Sequence, residues 1–179
     1  MKKIICIVTC LIAGIYSLGY ASLGGFHSNS GALSKIGLEH PVLFAIWGLL
    51  TVVALTYNII IGFMKTKYRF YIILLIISIA GMILTICFDF DYNKHTEYVL
   101  HCAGSLTFSA VMGITVFLLF LLNKNYMFTV ISGAVLITDL ILLIIYKETA
   151  LIELMPILSG YIMLCIHNLK KEKVKIEVK

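Results

Sequence analysis

The chain has 179 residues, of which 61% are hydrophobic and only 13% are charged, with a formal net charge of +5 and a mean hydropathy of +1.03. A soluble domain usually carries about a quarter charged residues, so this composition lacks the polar surface to cover a water-soluble globule. The excess of apolar side chains must face lipid, which predicts an integral membrane protein. Because the basic residues cluster near the ends of apolar segments, the positive charge does not indicate a nucleic-acid partner.

Six apolar segments have about the length that a bilayer requires, roughly 17–25 residues each. They are too long for buried strands and lack the alternating pattern of a membrane barrel, and a backbone in lipid must satisfy its own hydrogen bonds. We therefore predict an all-α integral membrane protein in which residues 1–169 form one bundle of six transmembrane helices and residues 170–179 form a lysine-rich tail. The predicted spans are residues 4–23, 42–64, 70–88, 98–122, 126–146 and 150–167.

The connections between the spans alternate in charge. Eleven of the fourteen basic residues lie at the N-terminus, in the second and fourth connections and in the tail, whereas the other connections contain only Lys35, Lys94 and Lys147. The positive-inside rule therefore predicts that both termini are cytoplasmic. The thirteen Lys and single Arg suggest a bacterium with an AT-rich genome, in which the protein would lie in the plasma membrane. The loops predicted to lie outside are residues 24–41, 89–97 and 147–149.

The first span has a second interpretation. The letters "MKK", an apolar core and then "LGYAS" resemble a secretory signal peptide, with small residues at the −3 and −1 positions before Ser22. The apolar run is long for such a peptide, so a membrane span is the prediction and cleavage is the alternative. The other five spans keep their orientation under either interpretation.

Polar residues inside the spans concentrate in the half of the bundle next to the outer loops, whereas the inner half offers little beyond Asn58. Two polar stripes with helical spacing run along the third and fourth spans, and such stripes are expected to face the bundle interior or a hydrated cavity. The stripes are Ser78, Gly81, Thr85 and Asp89 on the third span and Glu97, His101, Ser105 and Ser109 on the fourth.

This asymmetry predicts an outward-facing polar vestibule above a closed cytoplasmic side. A charge inside a membrane costs about 3 kcal/mol on insertion scales, so Asp139 needs a hydrogen-bonding partner, a proton or an ion. The candidate ligand-binding residues of the vestibule are Asp89, His101, Ser105, Asp139, Glu97, Glu153 and Tyr20.

The histidines near the outer loops allow a metal site as an alternative. His40, His95, His101 and Asp89 offer suitable nitrogen and oxygen ligands for zinc. However, His95 and His101 are six residues apart and do not form the i, i+4 pair of a zinc-binding helix. A His101 that is hydrogen-bonded to a neighbouring hydroxyl or carboxylate is the simpler interpretation. The sequence contains no nucleotide-binding or haem-binding motif, so we expect no cofactor apart from this zinc alternative.

Two of the five cysteines, Cys87 and Cys102, flank the same outer loop. A disulfide between them would close that loop over the vestibule, and two reduced thiols are the alternative. The remaining three lie in the inner half, where they are expected to pack as small apolar residues.

Three functions remain open on these residues. The first, which we expect, is a non-enzymatic protein that binds a lipid headgroup, a small ligand or another membrane protein in the vestibule. The second is a zinc-dependent membrane hydrolase that acts on a lipid or an amide, with a metal-bound water among the histidines. The third is a small proton- or ion-coupled carrier in which Asp139 is the coupling carboxylate, although no inverted repeat or pair of broken helices is visible.

Three stretches carry a resemblance to a known family. They are "GALSKIGLEHPVLFAIWGLL" at the end of the first outer loop, "FDFD" at the end of the third span and "VLHCAGSLTF" at the start of the fourth. With six spans in this order, the chain resembles the membrane family known as domain of unknown function 998 and, more distantly, the Frag1-type and autophagy-modulator proteins. His101 and Gly104 are similar to a His-x-x-Gly pattern of those families. The resemblance implies a six-helix membrane protein with no assigned reaction and lipid-linked roles among the distant relatives.

Overall fold

The protein is all-helical in the computed structural model, which describes residues 2–26, 31–64, 66–147 and 149–170. Seven α-helices and no strand lie within these ranges, which confirms the predicted all-α class. The helices are α1 (Lys2–Ala21), α2 (Leu33–Glu39), α3 (Pro41–Phe63), α4 (Tyr71–Cys87), α5 (His95–Leu122), α6 (Tyr126–Tyr146) and α7 (Ala150–Leu169). Apart from Lys170, the predicted tail lies outside the described residues.

Five helices in the described part of the chain, α1, α3, α5, α6 and α7, are long and apolar enough to cross a membrane. The helix α4 is also apolar but has 17 residues. Large apolar side chains cover the outside of the bundle, and Ile15, Val130 and Ile144 are between 71% and 74% exposed. Continuous apolar surface of this kind is stable against lipid rather than against water. The fold is therefore that of a membrane-embedded helical protein.

The loops lie at two opposite ends of the bundle. The start of α1 and the end of α7 meet at one of them, where Lys3 Nζ donates a hydrogen bond to Leu169 O at 3.1 Å. We call this the terminal end. The opposite end, called the α2 end, carries α2 and the connections that follow α4 and α6.

The helices α4 and α5 approach each other closely at two glycines. A Cβ added at Gly81 would lie 2.8 Å from Gly104 O, and a Cβ added at Gly104 would lie 2.6 Å from Gly81 O. In lipid, such contact between backbones supplies the van der Waals attraction that holds two helices together. The stripe residues Ser78 and Thr85 are buried on the same helix, as a stripe facing the bundle interior requires.

Hydrogen bonds and large side chains close the terminal end. Asn168 Nδ2 donates to Asn58 O at 2.9 Å and to Asn58 Oδ1 at 3.1 Å, and Asn58 Nδ2 donates to Ala54 O at 2.9 Å. Phe63 and Phe120 are fully buried. The terminal end, which was predicted to be the inner half, is thus more polar than predicted, because the last turn of α7 brings Asn168 into the core, just beyond the predicted sixth span.

The helix α2 lies where an external loop was predicted. Leu33, Ile36 and Gly37 form its buried face, and a Cβ at Gly37 would lie only 2.9 Å from the ring of Phe44. The helix has no side-chain cap of its own. Instead, Leu33 N donates a hydrogen bond to Glu153 Oε2 of α7 at 2.6 Å, which satisfies one of the N–H groups that every helix start leaves open. A contact distant in sequence therefore anchors α2 to the bundle.

Candidate functional site

A cavity of about 430 Å³ lies toward the α2 end and is enclosed by α2, α3, α4, α5, α6 and α7. Ligand pockets in proteins commonly measure about 300–1,000 Å³ and combine apolar walls with a few polar groups. This cavity has both properties and is the candidate site. Apolar side chains of its walls include Leu33, Phe44, Trp47, Met82, Ile152 and Ile157.

The lining residues of the cavity that are exposed all lie on α5 and α6, from which we infer that the cavity opens sideways between these two helices. The two helices touch nearer the terminal end, where a Cβ on Gly113 would overlap Leu136 and one on Gly133 would lie 3.4 Å from the ring of Phe117. Beyond these contacts, several residues line the cavity and are also exposed on the outside of the bundle. They are Leu106, Ser109, Ala110, Ile114 and Leu140. Since the outside of this bundle is apolar, the opening faces the region that lipid chains occupy.

The polar part of the cavity contains four of the seven predicted vestibule residues, His101, Ser105, Asp139 and Glu153. The half-buried Asp139 comes from α6, and its Oδ1 atom is buried without a hydrogen-bond partner among the described residues. Glu153 comes from α7 and already accepts the Leu33 N–H. No Lys or Arg within the described ranges lines the cavity, so its charged groups are carboxylates.

His101 connects α5 to α2 and to the end of α4. Its Nδ1 lies 2.8 Å from Phe88 O, and its Nε2 lies 2.9 Å from Ser34 Oγ. A carbonyl oxygen can only accept, so in the neutral ring Nδ1 carries the proton and Nε2 accepts the Ser34 hydroxyl. The rings of Phe44 and Phe90 lie 5.9 Å and 5.2 Å from the imidazole. With both ring nitrogens engaged, His101 positions α2 above the cavity.

Aromatic rings, rather than carboxylates, close the α2 end of the cavity. Phe90 is 2% exposed and lines the cavity. Its ring lies 5.4 Å from Tyr92 and 5.1 Å from Tyr98. Lys35 of α2 lies 5.9 Å from the centre of the Tyr92 ring, within the range of a cation–π contact. The cluster thus joins α2 to the connection between α4 and α5.

Asp89 and Glu97 do not line the cavity, contrary to the prediction. Both carboxylates bind Lys94 at 3.2 Å on the exposed surface. Hydrogen bonds to Glu97 and to Asp89 raise the pKa of Lys94 above its ordinary value. The reason for the difference is that α4 ends at Cys87 and the backbone is extended at Phe88, so helical spacing no longer predicts the direction of Asp89.

Tyr20 supports the wall of the cavity from behind. Its hydroxyl donates a hydrogen bond to Leu33 O at 2.9 Å. Its ring stacks on Trp47 with the centroids 6.2 Å apart, and Trp47 Nε1 donates to Ser17 Oγ at 3.0 Å. Tyr20 is therefore a second anchor of α2 and does not line the cavity itself.

Three residues that matter to the site were absent from the predicted set: Ser34, Trp47 and Phe90. The spacing of Leu33 and Ile36 is a weak helical signal that could have placed Ser34 on a packed element. Phe90 follows the end of α4 in irregular backbone, where periodicity carries no information. Trp47 fits a core aromatic as well as a site residue, so its sequence position did not distinguish the two.

The residues of the zinc alternative are not brought together. Within the described ranges, no group of three or more His, Cys, Asp or Glu side chains is placed to hold one metal ion. His40 and His95 are exposed where α3 and α5 begin, and His101 uses both of its nitrogens elsewhere. This arrangement does not fit a zinc site.

The disulfide alternative also differs from the structure, in which Cys87 and Cys102 are not bonded to each other. Cys87 is exposed at the last residue of α4, whereas Cys102 lines the cavity within α5. The two side chains thus face different surroundings, which explains why no bond joins them.

Comparison with protein-family models, with curated proteins and with solved structures finds no match to this chain. The fold and the site together define a class: a membrane-embedded helical protein with a laterally open, mainly apolar cavity that contains acidic side chains.

Proposed function

We propose that this protein binds an amphipathic, lipid-like ligand in the cavity and does not transform it chemically. The lateral opening between α5 and α6 is the observation that carries the proposal. An apolar chain could pass from the bilayer past Ala110 and Ile114 while its polar group reaches Ser105 and Asp139. A lipid-like ligand also agrees with the lipid-linked roles that the resemblance to the family of unknown function implies.

The proposal includes the full membrane topology. We infer six spans by counting α4 together with the five longer helices, since its 17 residues extend about 26 Å at 1.5 Å per residue and bilayer thinning accommodates a short span. The excess of lysine near the chain ends favours a cytoplasmic terminal end in the plasma membrane. The α2 end and the cavity then lie in the outer half.

Labelling of Cys87 tests this orientation. In a variant whose other four cysteines are serine, a membrane-impermeant maleimide should label Cys87 in intact cells, because this exposed residue lies at the α2 end. The same variant with Cys87→Ser is the control and should remain unlabelled. If Cys87 reacts only after the membrane is permeabilised, the proposed orientation is wrong.

The two alternative functions have weaker support. A zinc hydrolase needs ligands that converge on one ion, and His101 already holds Phe88 O and Ser34. A carrier needs a polar path through the whole bundle, whereas the terminal end is closed by the Asn58–Asn168 hydrogen bonds and by buried Phe63. Binding without transport or hydrolysis requires neither feature.

Fluorescence of Trp47 tests the proposed binding, since it is the one tryptophan of the chain and it lines the cavity. In a detergent without bromine, a long-chain amphiphile with a brominated tail should quench Trp47 at low mole fraction and in a saturable manner. The variant Ala110→Phe, which narrows the opening, should weaken the apparent affinity by about tenfold, equivalent to about 1.4 kcal/mol.

The matched control is Ala134→Phe. Ala134 is also exposed, on α6, but does not line the cavity, so this variant should be quenched like the wild type. Quenching that is linear in probe concentration, or equal in the two variants, would mean that the probe reaches Trp47 without occupying the cavity and would refute the proposal.

A further inference from the structure

We propose that the head of the ligand is a cationic amine, bound by Asp139, on a single apolar chain that enters from the bilayer. This inference rests on the proposed function, because it assigns the chemistry of the ligand in the same cavity. An amine head excludes, as ligands of this cavity, the phosphate-headed lipids that form the bulk of most membranes.

The charges around the cavity are the first argument. Two carboxylates, Asp139 and Glu153, line it, and no Lys or Arg of the described chain does. In surroundings of low polarity these carboxylates repel a phosphate and attract an ammonium group. Sites that hold phosphate in proteins are built from arginine, lysine or converging backbone N–H groups, and none of the described lining side chains is basic apart from His101.

The hydrogen-bonding capacity of the cavity is the second argument. Asp139 Oδ1 is a buried acceptor without a donor among the described residues, an arrangement that is costly unless a partner arrives. Pro156, which also lines the cavity, has no N–H, so the carbonyl of Ile152 lacks the donor that it would otherwise have within α7. Two hydroxyls of the lining are already used, since Ser34 bonds to His101 and Thr85 bonds to Gly81 O, and neither Ser105 nor Ser109 donates to Asp139 Oδ1. Asp139 Oδ1 therefore lacks a donor, which an ammonium group of the ligand supplies.

Asp139, rather than Glu153, is the anchor of the head. Glu153 Oε2 accepts the Leu33 N–H and holds the start of α2, so its geometry is fixed by the fold. Asp139 lies on α6, which together with α5 forms the lateral opening, next to the exposed lining residue Leu140. A chain that enters there places its head against Asp139 first. The cavity volume of about 430 Å³ is in the lower part of the usual range for ligand pockets and suits one chain rather than two.

The experiment compares three probes that share one brominated dodecyl tail and carry an amine, a hydroxyl or a phosphate head. Quenching of Trp47 in purified protein should give the tightest binding for the amine and the weakest for the phosphate. Asp139→Asn keeps the shape of the side chain and removes its charge. It should weaken amine binding by about a hundredfold and leave alcohol binding within a fewfold of the wild type.

Two controls separate a binding role of Asp139 from a structural one. The variant Glu39→Gln removes an exposed carboxylate of α2 outside the cavity and should keep the amine preference. The melting temperature of empty Asp139→Asn should equal or exceed that of the wild type, since no described group depends on the Asp139 charge. Butylamine, which is soluble and lacks the long tail, should not compete with the amine probe.

The possible results distinguish the two proposals. Equal binding of all three heads, unaltered in Asp139→Asn, would leave the binding function standing and overturn the amine head. Tightest binding of the phosphate probe would overturn it as well, and competition by butylamine would replace the membrane amphiphile with a soluble amine. Absence of saturable quenching by every probe would refute the binding function itself.

Discussion

Replacing Gly104 by alanine is expected to destabilise the protein by about 2–3 kcal/mol, which corresponds to a fall in melting temperature of roughly 5–10 °C. The added Cβ would lie 2.6 Å from Gly81 O and 2.8 Å from Thr85 N. Both are backbone atoms of α4, which cannot rotate away as a side chain can. The two helices must therefore separate, and the close contact that stabilises them in lipid is lost along its length. Thermal unfolding in detergent, followed by circular dichroism, measures the effect.

Gly19 provides a matched control, because a Cβ at that exposed position of α1 meets no atom within 4 Å. Gly19→Ala should leave the melting temperature unchanged or raise it slightly, since alanine has the higher helix propensity. Gly81→Ala should resemble Gly104→Ala, and the double variant should lose less than the sum of the two, because helices already separated admit a second Cβ at little further cost. Equal melting temperatures of Gly104→Ala and Gly19→Ala would contradict the proposed role of the contact.

The long helices could be predicted from the sequence because lipid imposes one simple rule on them. A span must be apolar and about 20 residues long, and its backbone must be helical. The helices α3, α6 and α7 accordingly begin and end within about two residues of their predicted positions. The exception is α5, which begins at His95 instead of residue 98. Its first turn is polar, and hydropathy does not detect a helix that continues beyond the apolar segment.

The polar stripes predicted the site only where the helix continued. His101 and Ser105 lie well inside α5, and both line the cavity as their spacing indicated. Asp89 has the same spacing from Thr85 but follows the last residue of α4. The position of Asp89 therefore depends on the loop and on its ion pair with Lys94, neither of which can be predicted from helical spacing.

The short helix α2 could not be predicted, because its stability is almost entirely tertiary. A helix of seven residues is marginal by itself in water. The N–H of its first residue, Leu33, donates to Glu153, which is 120 residues away in the chain. The carbonyl of Leu33 also accepts a hydrogen bond from Tyr20. Ser34 completes the attachment through His101. No local sequence pattern contains these partners.

Loss of the Glu153 anchor is expected to release α2 from the bundle. Leu33 is 1% exposed, so in Glu153→Leu its N–H stays buried but loses its acceptor. An unsatisfied buried N–H costs about 1–3 kcal/mol. Amide hydrogens over residues 33–39 should then exchange about ten- to hundredfold faster, since they exchange through local opening of this helix. Hydrogen–deuterium exchange with mass spectrometry in detergent measures the change peptide by peptide.

Glu153→Gln separates the hydrogen bond from the charge. Its amide oxygen can still accept the Leu33 N–H, so exchange in α2 should remain close to that of the wild type. Glu97→Leu removes a carboxylate at the same end that binds the exposed Lys94, and it should leave α2 protected. Because α2 supplies Leu33 and Ser34 to the cavity, faster opening in Glu153→Leu should also speed dissociation of a bound amphiphile. Unchanged exchange over residues 33–39 in Glu153→Leu would show that Tyr20 and His101 hold α2 without the carboxylate.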